Sequence, residues 1–224
     1  MIKGFIFDLD GIITDTAEYH FIAWKHLAEK QGWKFDREMN EELRGISRLD
    51  SIKVILRHNH LLGKFTNEEA GQLANEKNEL YVESLKDITP ADYLPGAKEV
   101  LDKLKKAGYK IALGSASKNA VAVLKYLDAM QYFDVIGDGT KVTNSKPAPD
   151  VFLYAAREMG LAPDECIVVE DAYSGVDAAI AGGFYSIGIG PPERVGHATI
   201  SFDAMDKIDL DMVFAACIQK TSLL

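Results

Sequence analysis

Residues 2–11 read Ile2-Lys3-Gly4-Phe5-Ile6-Phe7-Asp8-Leu9-Asp10-Gly11. A short apolar run, partly β-branched and aromatic, stops at an acidic turn containing glycine, which is how a buried strand looks in sequence. Three later stretches repeat the pattern: residues 110–113, 166–169 and 185–189, each followed by a loop with Gly, Ser or Asp. Between them the apolar period becomes helical. Val100, Leu101 and Leu104 share a face, with Gly108 at the expected stop. Ser117 is placed to cap a helix carrying Val121, Leu124 and Leu127, and Pro149 to open one with Phe152, Ala155, Ala156 and Met159 on one side. Strands alternating with helices predict an α/β fold, a doubly wound parallel sheet of Rossmann-like type, with ligands beyond the carboxyl ends of the strands.

Residues 15–89 break that alternation. Phe21, Trp24, Leu27 and Ala28 fall on one helical face, and Thr66-Asn67-Glu68-Glu69 has the form of a capping box opening a long polar helix. Pro90 and Pro95-Gly96 mark a return to the earlier pattern. The expectation is a helical cap domain over residues 15–89, inserted after the first strand of a core formed by 1–14 and 90–224.

The chain has 224 residues, 47% of them hydrophobic and 26% charged, which is the composition of a folded globular protein. A formal net charge of −9 argues against nucleic acid and anionic membranes as partners, so an anionic substrate must be held by a few local cations. Cys166 and Cys217 lack metal-ligand spacing and do not form a disulfide framework. The apolar start is interrupted by Asp8 and Asp10 and lacks a cleavage site, and no run reaches the ~18 apolar residues of a membrane span. A cytoplasmic monomer is expected.

Chemistry concentrates at four places. Asp8 and Asp10 lie two apart at the end of the first strand, where one carboxylate can act while the other supports it; a plain Asp-Gly turn has the same appearance. Glu170 and Asp171 end another apolar run and offer hard oxygens suited to Mg²⁺. Lys146 lies in Asn144-Ser145-Lys146-Pro147, before a helix, where it can neutralise a phosphate or simply be solvated. Gly114-Ser115-Ala116-Ser117 combines a hydroxyl with backbone N–H groups near a helix start, as anion sites do.

The order of these four features, each at a strand end, resembles the four motifs of the haloacid dehalogenase superfamily over the whole chain. The resemblance implies that Asp8 attacks phosphorus to give an aspartyl phosphate and that Asp10 is the general acid/base. It further implies that Mg²⁺ is held by Asp8, the backbone carbonyl of Asp10, Glu170 and Asp171, and that Ser115, Ala116, Ser117 and Lys146 bind the transferring phosphoryl group. A phospho-accepting receiver domain also uses carboxylates, Mg²⁺ and a lysine. Its acceptor follows a middle strand, however, and it has no place for the helical insert.

Within the insert, residues 43–51, Leu-Arg-Gly-Ile-Ser-Arg-Leu-Asp-Ser, with residues 14–20 and Lys77-Asn78, resemble the β-phosphoglucomutase branch of that superfamily. That resemblance implies that Arg48 binds a distal phosphate, with Arg44, Gly45 and Ser47 in the same recognition loop. It implies that His20 and Lys77 place the sugar, and that Thr16 steadies Asp10. Arg44 stands where the branch carries Lys, and the flat guanidinium fork is not a point charge. The implied substrates are glucose 1-phosphate and glucose 6-phosphate, with glucose 1,6-bisphosphate as activator and intermediate. A sugar-phosphate phosphatase with the same core is the alternative.

Overall fold

The computed structural model describes residues 1–221. Six strands form one parallel sheet in the order β3-β2-β1-β4-β5-β6: β1 Gly4–Phe7, β2 Lys110–Gly114, β3 Val135–Gly137, β4 Cys166–Glu170, β5 Tyr185–Ile189 and β6 Ile200–Phe202. The α/β doubly wound architecture is therefore as expected. Four of the strands match the apolar runs, although β1 begins at Gly4 rather than Ile2. The three-residue edge strands β3 and β6 add to them.

The period-2 logic is visible in where each side chain goes. From β1, Phe5 and Phe7 enter one apolar cluster and Ile6 the other. Ile111 and Leu113 of β2 and Ile167 and Val169 of β4 join the first, while Ala112, Cys166 and Val168 join the second. Each fully buried Phe or Ile is worth ~1.5–3 kcal/mol over leaving it exposed, so these strands need helices on both faces. Helices α5 (Ala97–Lys106) and α6 (Ala120–Tyr126) supply one cover, α7 (Asp150–Met159) and α8 (Tyr173–Ala181) the other. Pro149 does open α7; Ser117 does not cap α6. The N-cap is Asn119, and the Ser117 hydroxyl instead accepts from the Asn119 N–H at 3.2 Å.

Between β1 and β2 the chain forms α1 (Ala17–Gln31), α2 (Arg37–Glu41), α3 (Arg48–His58) and α4 (Asn67–Ser84). They enclose a third cluster of their own, with Trp24, Leu27, Ile52, Ile55, Leu56 and Ala74. Tyr81, Leu85 and Ile88 join the first cluster of the sheet and anchor the layer to it. The capping box at α4 is complete: the Thr66 hydroxyl accepts from Glu69 N at 3.2 Å, and Glu69 accepts from Thr66 N at 2.7 Å. The residues expected as one recognition loop are partly helix, because Ser47 caps α3 and Arg48 is its first residue. After β5, α9 (Pro192–Val195) and, after β6, α10 (Leu210–Thr221) complete the fold. No described helix is long and apolar enough to cross a membrane.

Candidate active site

The order of strands reverses between β1 and β4, and in open α/β sheets the crevice at that switch point is where ligands sit. Asp8 leaves β1 there; Glu170 ends β4 and Asp171 follows it. A cavity of about 400 Å³ opens above these strand ends and is roofed by the helical layer. Asp8, Asp10, Ser115, Ala116, Ser117, Lys146 and Asp171 line its floor; His20, Arg44, Gly45, Ser47, Arg48 and Lys77 line the roof. Thr16 and Glu170 are fully buried behind the wall.

The floor is a buried charge cluster. Lys146 Nζ donates to Asp8 Oδ1 and to Glu170 Oε1, each at 2.5 Å, and packs over the Phe152 ring at 4.7 Å. Glu170 Oε2 accepts from Ala172 N at 2.8 Å. Burial disfavours the lysine charge, but the carboxylates of Asp8 and Glu170 outweigh it and hold the ammonium above its ordinary value. Asp8 is pushed well up by burial, reinforced by the Glu170 and Asp10 carboxylates and opposed by Lys146. Burial likewise lifts Asp10, against the hydrogen bond that its Oδ1 accepts from the Thr16 hydroxyl. Asp171 rises to about 7 through burial and then Glu170, with Arg44 and Arg194 pulling the other way.

Four carboxylates thus face one buried lysine and two partly buried arginines, Arg44 and Arg194, and still outnumber the cations. Among the described residues no three carboxylate, imidazole or thiol side chains form a ready metal cage. Mg²⁺, however, keeps waters and uses one or two carboxylates plus phosphate oxygens, so an anionic, all-oxygen floor fits it. Gly11 contributes by its lack of a side chain: at φ +80° a Cβ there would lie 2.3 Å from Asp171 Oδ2.

The Ser115–Ser117 segment turns directly beyond β2. Ser115 is buried at the end of β2, its hydroxyl accepting from Ser117 N at 3.1 Å and its own N–H donating to Gly137 O at 3.0 Å. Lys118 and Asn119 continue the same polar run into the cavity wall; only their adjacency to Ser117 marks them in the sequence.

The roof is looser. Arg48 Nη1 donates to Asn75 Oδ1 at 3.2 Å and is half-buried. Lys77 Nζ and His20 Nδ1 share a hydrogen bond at 2.6 Å, and the His20 ring stacks on Tyr81 at 3.9 Å. Burial first, then Lys77 and Arg48, holds the imidazole well below its usual value; burial and Arg48 do the same to Lys77. Arg44 does not point its guanidinium at open cavity. It donates from Nε to Glu41 Oε2 at 2.7 Å and from Nη1 to Asp171 Oδ2 at 3.1 Å.

Roof and floor meet at several points that local sequence patterns do not reveal. Ser145 donates to Asp50 Oδ2 at 2.9 Å, Asn119 Nδ2 donates to Asn78 Oδ1 at 2.8 Å, and Ser174 donates to the Arg44 carbonyl at 3.2 Å. Gly45, at φ +72°, passes so close that a Cβ would lie 2.7 Å from Ser174 Oγ.

Residues 2–183 match the family model of the haloacid dehalogenase-like hydrolases. The chain is 44% identical over 212 residues to a β-phosphoglucomutase of Bacillus subtilis, covering 95% of this chain and 94% of that one. It is 32% identical over 186 residues to a fructose-1-phosphate phosphatase of Escherichia coli, covering 83% and 95%. Among solved structures it resembles a β-phosphoglucomutase from Clostridium difficile, with a TM-score of 0.94 and 40% identity over 99% of this chain and 100% of that one.

Proposed function

The chain belongs to the haloacid dehalogenase-like hydrolase family, and on that premise we propose that it interconverts β-D-glucose 1-phosphate and glucose 6-phosphate through a phosphorylated Asp8 and glucose 1,6-bisphosphate. The observation that carries this reading is the roofed cavity with cationic groups on both sides, Lys146 in the floor and Arg48 in the roof. A mutase holds two phosphates at once, whereas a phosphatase needs to grip only one. The volume of about 400 Å³ lies within the range of small-ligand sites.

Residues 15–89 act as a cap over the core of 1–14 and 90–224. Asp8 attacks phosphorus, forming an acyl phosphate bond as the ester P–O bond breaks, and splits one hard transfer into two easier ones. Lys146 and the N–H groups of the Ser115–Ser117 loop neutralise the equatorial oxygens. Asp10, lifted by burial, carries the proton that the leaving sugar oxygen takes, then accepts one from the sugar hydroxyl that attacks phospho-Asp8. Thr16 fixes the orientation of Asp10. Arg48 grips the phosphate that is not transferring, and His20 with Lys77 positions the sugar beneath it. Asp8, the Asp10 carbonyl, Glu170 and Asp171 would hold Mg²⁺, which would supply charge neutralisation for the phosphoryl oxygens. Closure of the cap keeps water from the phospho-enzyme. A cytoplasmic monomer that takes glucose 1,6-bisphosphate as activator completes the reading.

The phosphatase alternative has the weaker support, 32% identity to the fructose-1-phosphate phosphatase against 44% to the Bacillus subtilis mutase. Incubation with β-glucose 1-phosphate, Mg²⁺ and a trace of glucose 1,6-bisphosphate separates the two. Glucose 6-phosphate should accumulate with little inorganic phosphate; release of one phosphate per sugar consumed would replace the mutase with the phosphatase.

A further inference from the structure

Arg194, on the short helix α9 of the core, has no part in the chemistry above, yet it completes a ring of alternating charge between core and cap. Arg44 of the cap contacts Glu41 Oε2 at 2.7 Å and Asp171 Oδ2 at 3.1 Å. Arg194 reaches the same two oxygens from the other side, Nη1 to Glu41 Oε2 at 3.8 Å and Nη2 to Asp171 Oδ2 at 3.9 Å. Two guanidinium groups and two carboxylates therefore close a ring with no net charge. Glu41 belongs to α2 in the cap and Arg194 to the core, so this pair ties the two together directly. Gly190 leaves room for it: a Cβ there would stand 2.6 Å from Arg194 Nη2.

We propose that Arg194 is a positioning residue that holds the cap closed through Glu41, acting by charge alone. The contacts at 3.8 and 3.9 Å are too long for hydrogen bonds, and Arg194 Nε is buried with no acceptor, so the directional part of the guanidinium is not used. Without Arg194, Arg44 must serve both carboxylates, and the cap loses the ion pair that, among the described residues, joins α2 to the core. Cap opening then becomes easier. The inference rests on residues 15–89 being a cap that opens, and not on which phosphosugar is turned over.

Amide hydrogen exchange on the metal-free full chain reads the opening directly. In the wild type, exchange over residues 41–47 should quicken as salt is added, because screening weakens a partly exposed pair. Arg194→Met keeps length and apolar packing but removes the charge. It should raise exchange in that segment by roughly two- to fivefold, the scale of a partly exposed ion pair, and flatten the salt response. Arg194→Lys keeps the charge and should behave nearly as wild type. Exchange in β1 and β4 serves as the folding control; where Arg194→Met disturbs it, Arg194→Gln removes the same charge with a polar side chain and leaves the Arg44–Glu41 contact in place. Activity adds an independent readout, since easier opening should raise the KM for glucose 1-phosphate more than it lowers kcat. Unchanged exchange in Arg194→Met, or Arg194→Lys as damaged as Arg194→Met, would overturn the proposal. Absence of mutase activity in the wild type would sink the proposed substrate and leave the exchange result standing.

Discussion

The floor and the roof of the cavity are built on different principles. In the floor, Asp8, Lys146 and Glu170 leave strand ends and loops of a sheet buried on both faces, and each is bonded to the next at 2.5 Å. In the roof, Arg48 and Lys77 project from helices, and Arg48 is half-exposed with one hydrogen bond of 3.2 Å. Fixed charges suit a reaction in which charge must be met without reorganisation. A partly solvated arginine beside a buried lysine, both on a separately packed layer, suits recognition of a substrate that enters and turns. The difference predicts that floor substitutions remove the reaction, whereas roof substitutions change how well substrates are held.

The hardest test of the floor is Asp8→Asn. An amide cannot attack phosphorus, and the change also removes a negative charge beside Lys146, so both turnover and covalent labelling should disappear. Phospho-enzyme isolated from this variant would break the comparison at its centre. Next in size is Asp10→Ala, which leaves the attacking group in place and removes the proton carrier. Mutase turnover should fall by ~10²-fold or more, and by less for an acyl phosphate donor, whose leaving group needs little protonation.

Arg48→Ala asks the corresponding question of the roof. Losing a charge-assisted contact should cost ~1.5–3 kcal/mol, roughly ten- to a hundredfold in mutase turnover. Labelling of Asp8 by acetyl phosphate should survive, and phosphate release should be impaired less than the mutase reaction. Intact mutase turnover in this variant would leave the roof without a phosphate grip and favour the phosphatase.

These two halves were not equally legible. Asp8, Asp10, Glu170 and the sheet could be read because an apolar run that ends in carboxylates is a local pattern, and burial on both faces writes it in consecutive residues. The capping box at Thr66 is local in the same way. The edge strands β3 and β6 are three residues each, too short for a period to declare itself. The contacts of Asp50 with Ser145, Asn78 with Asn119 and Glu41 with Arg194 join residues 41 to 153 positions apart, and no spacing along the chain encodes them. The bond from Arg44 to Asp171 depends on closure in the same way.

A smaller effect reports on the floor through pH. The Asp171 carboxyl sits near 7 when folded, against 3.8 as an ordinary carboxyl. Between about pH 4 and 7 the folded protein therefore keeps a proton that the unfolded chain has lost, and this group makes stability fall as pH rises through that window. In metal-free protein, Asp171→Asn should gain on the wild type from pH 4 to 7 by thermal melting, and Mg²⁺ should narrow the gap by stabilising the wild type alone. A difference that stays flat with pH would mean that burial, with Glu170 beside it, does not lift the Asp171 carboxyl.

The smallest effect concerns whether the roof is a folding unit whose stability can be changed without touching the chemistry. Thr66 is exposed at the start of α4, about three turns before Lys77, and its hydroxyl and backbone complete the box with Glu69. Thr66→Ala removes the acceptor for Glu69 N and should cost ~0.5–2 kcal/mol. For a chain of this size that lowers Tm by about 2–4 °C per kcal/mol. Lys77 and His20 should keep their contact, because the helix frays from its first turn and the third is held by Ala74 and Tyr81 in apolar clusters. The mutase kcat measured well below Tm should then equal that of the wild type. If Thr66→Ala instead depresses kcat as far as Arg48→Ala does, helix order in the cap is itself limiting for turnover, and roof and floor cannot be treated as separable halves.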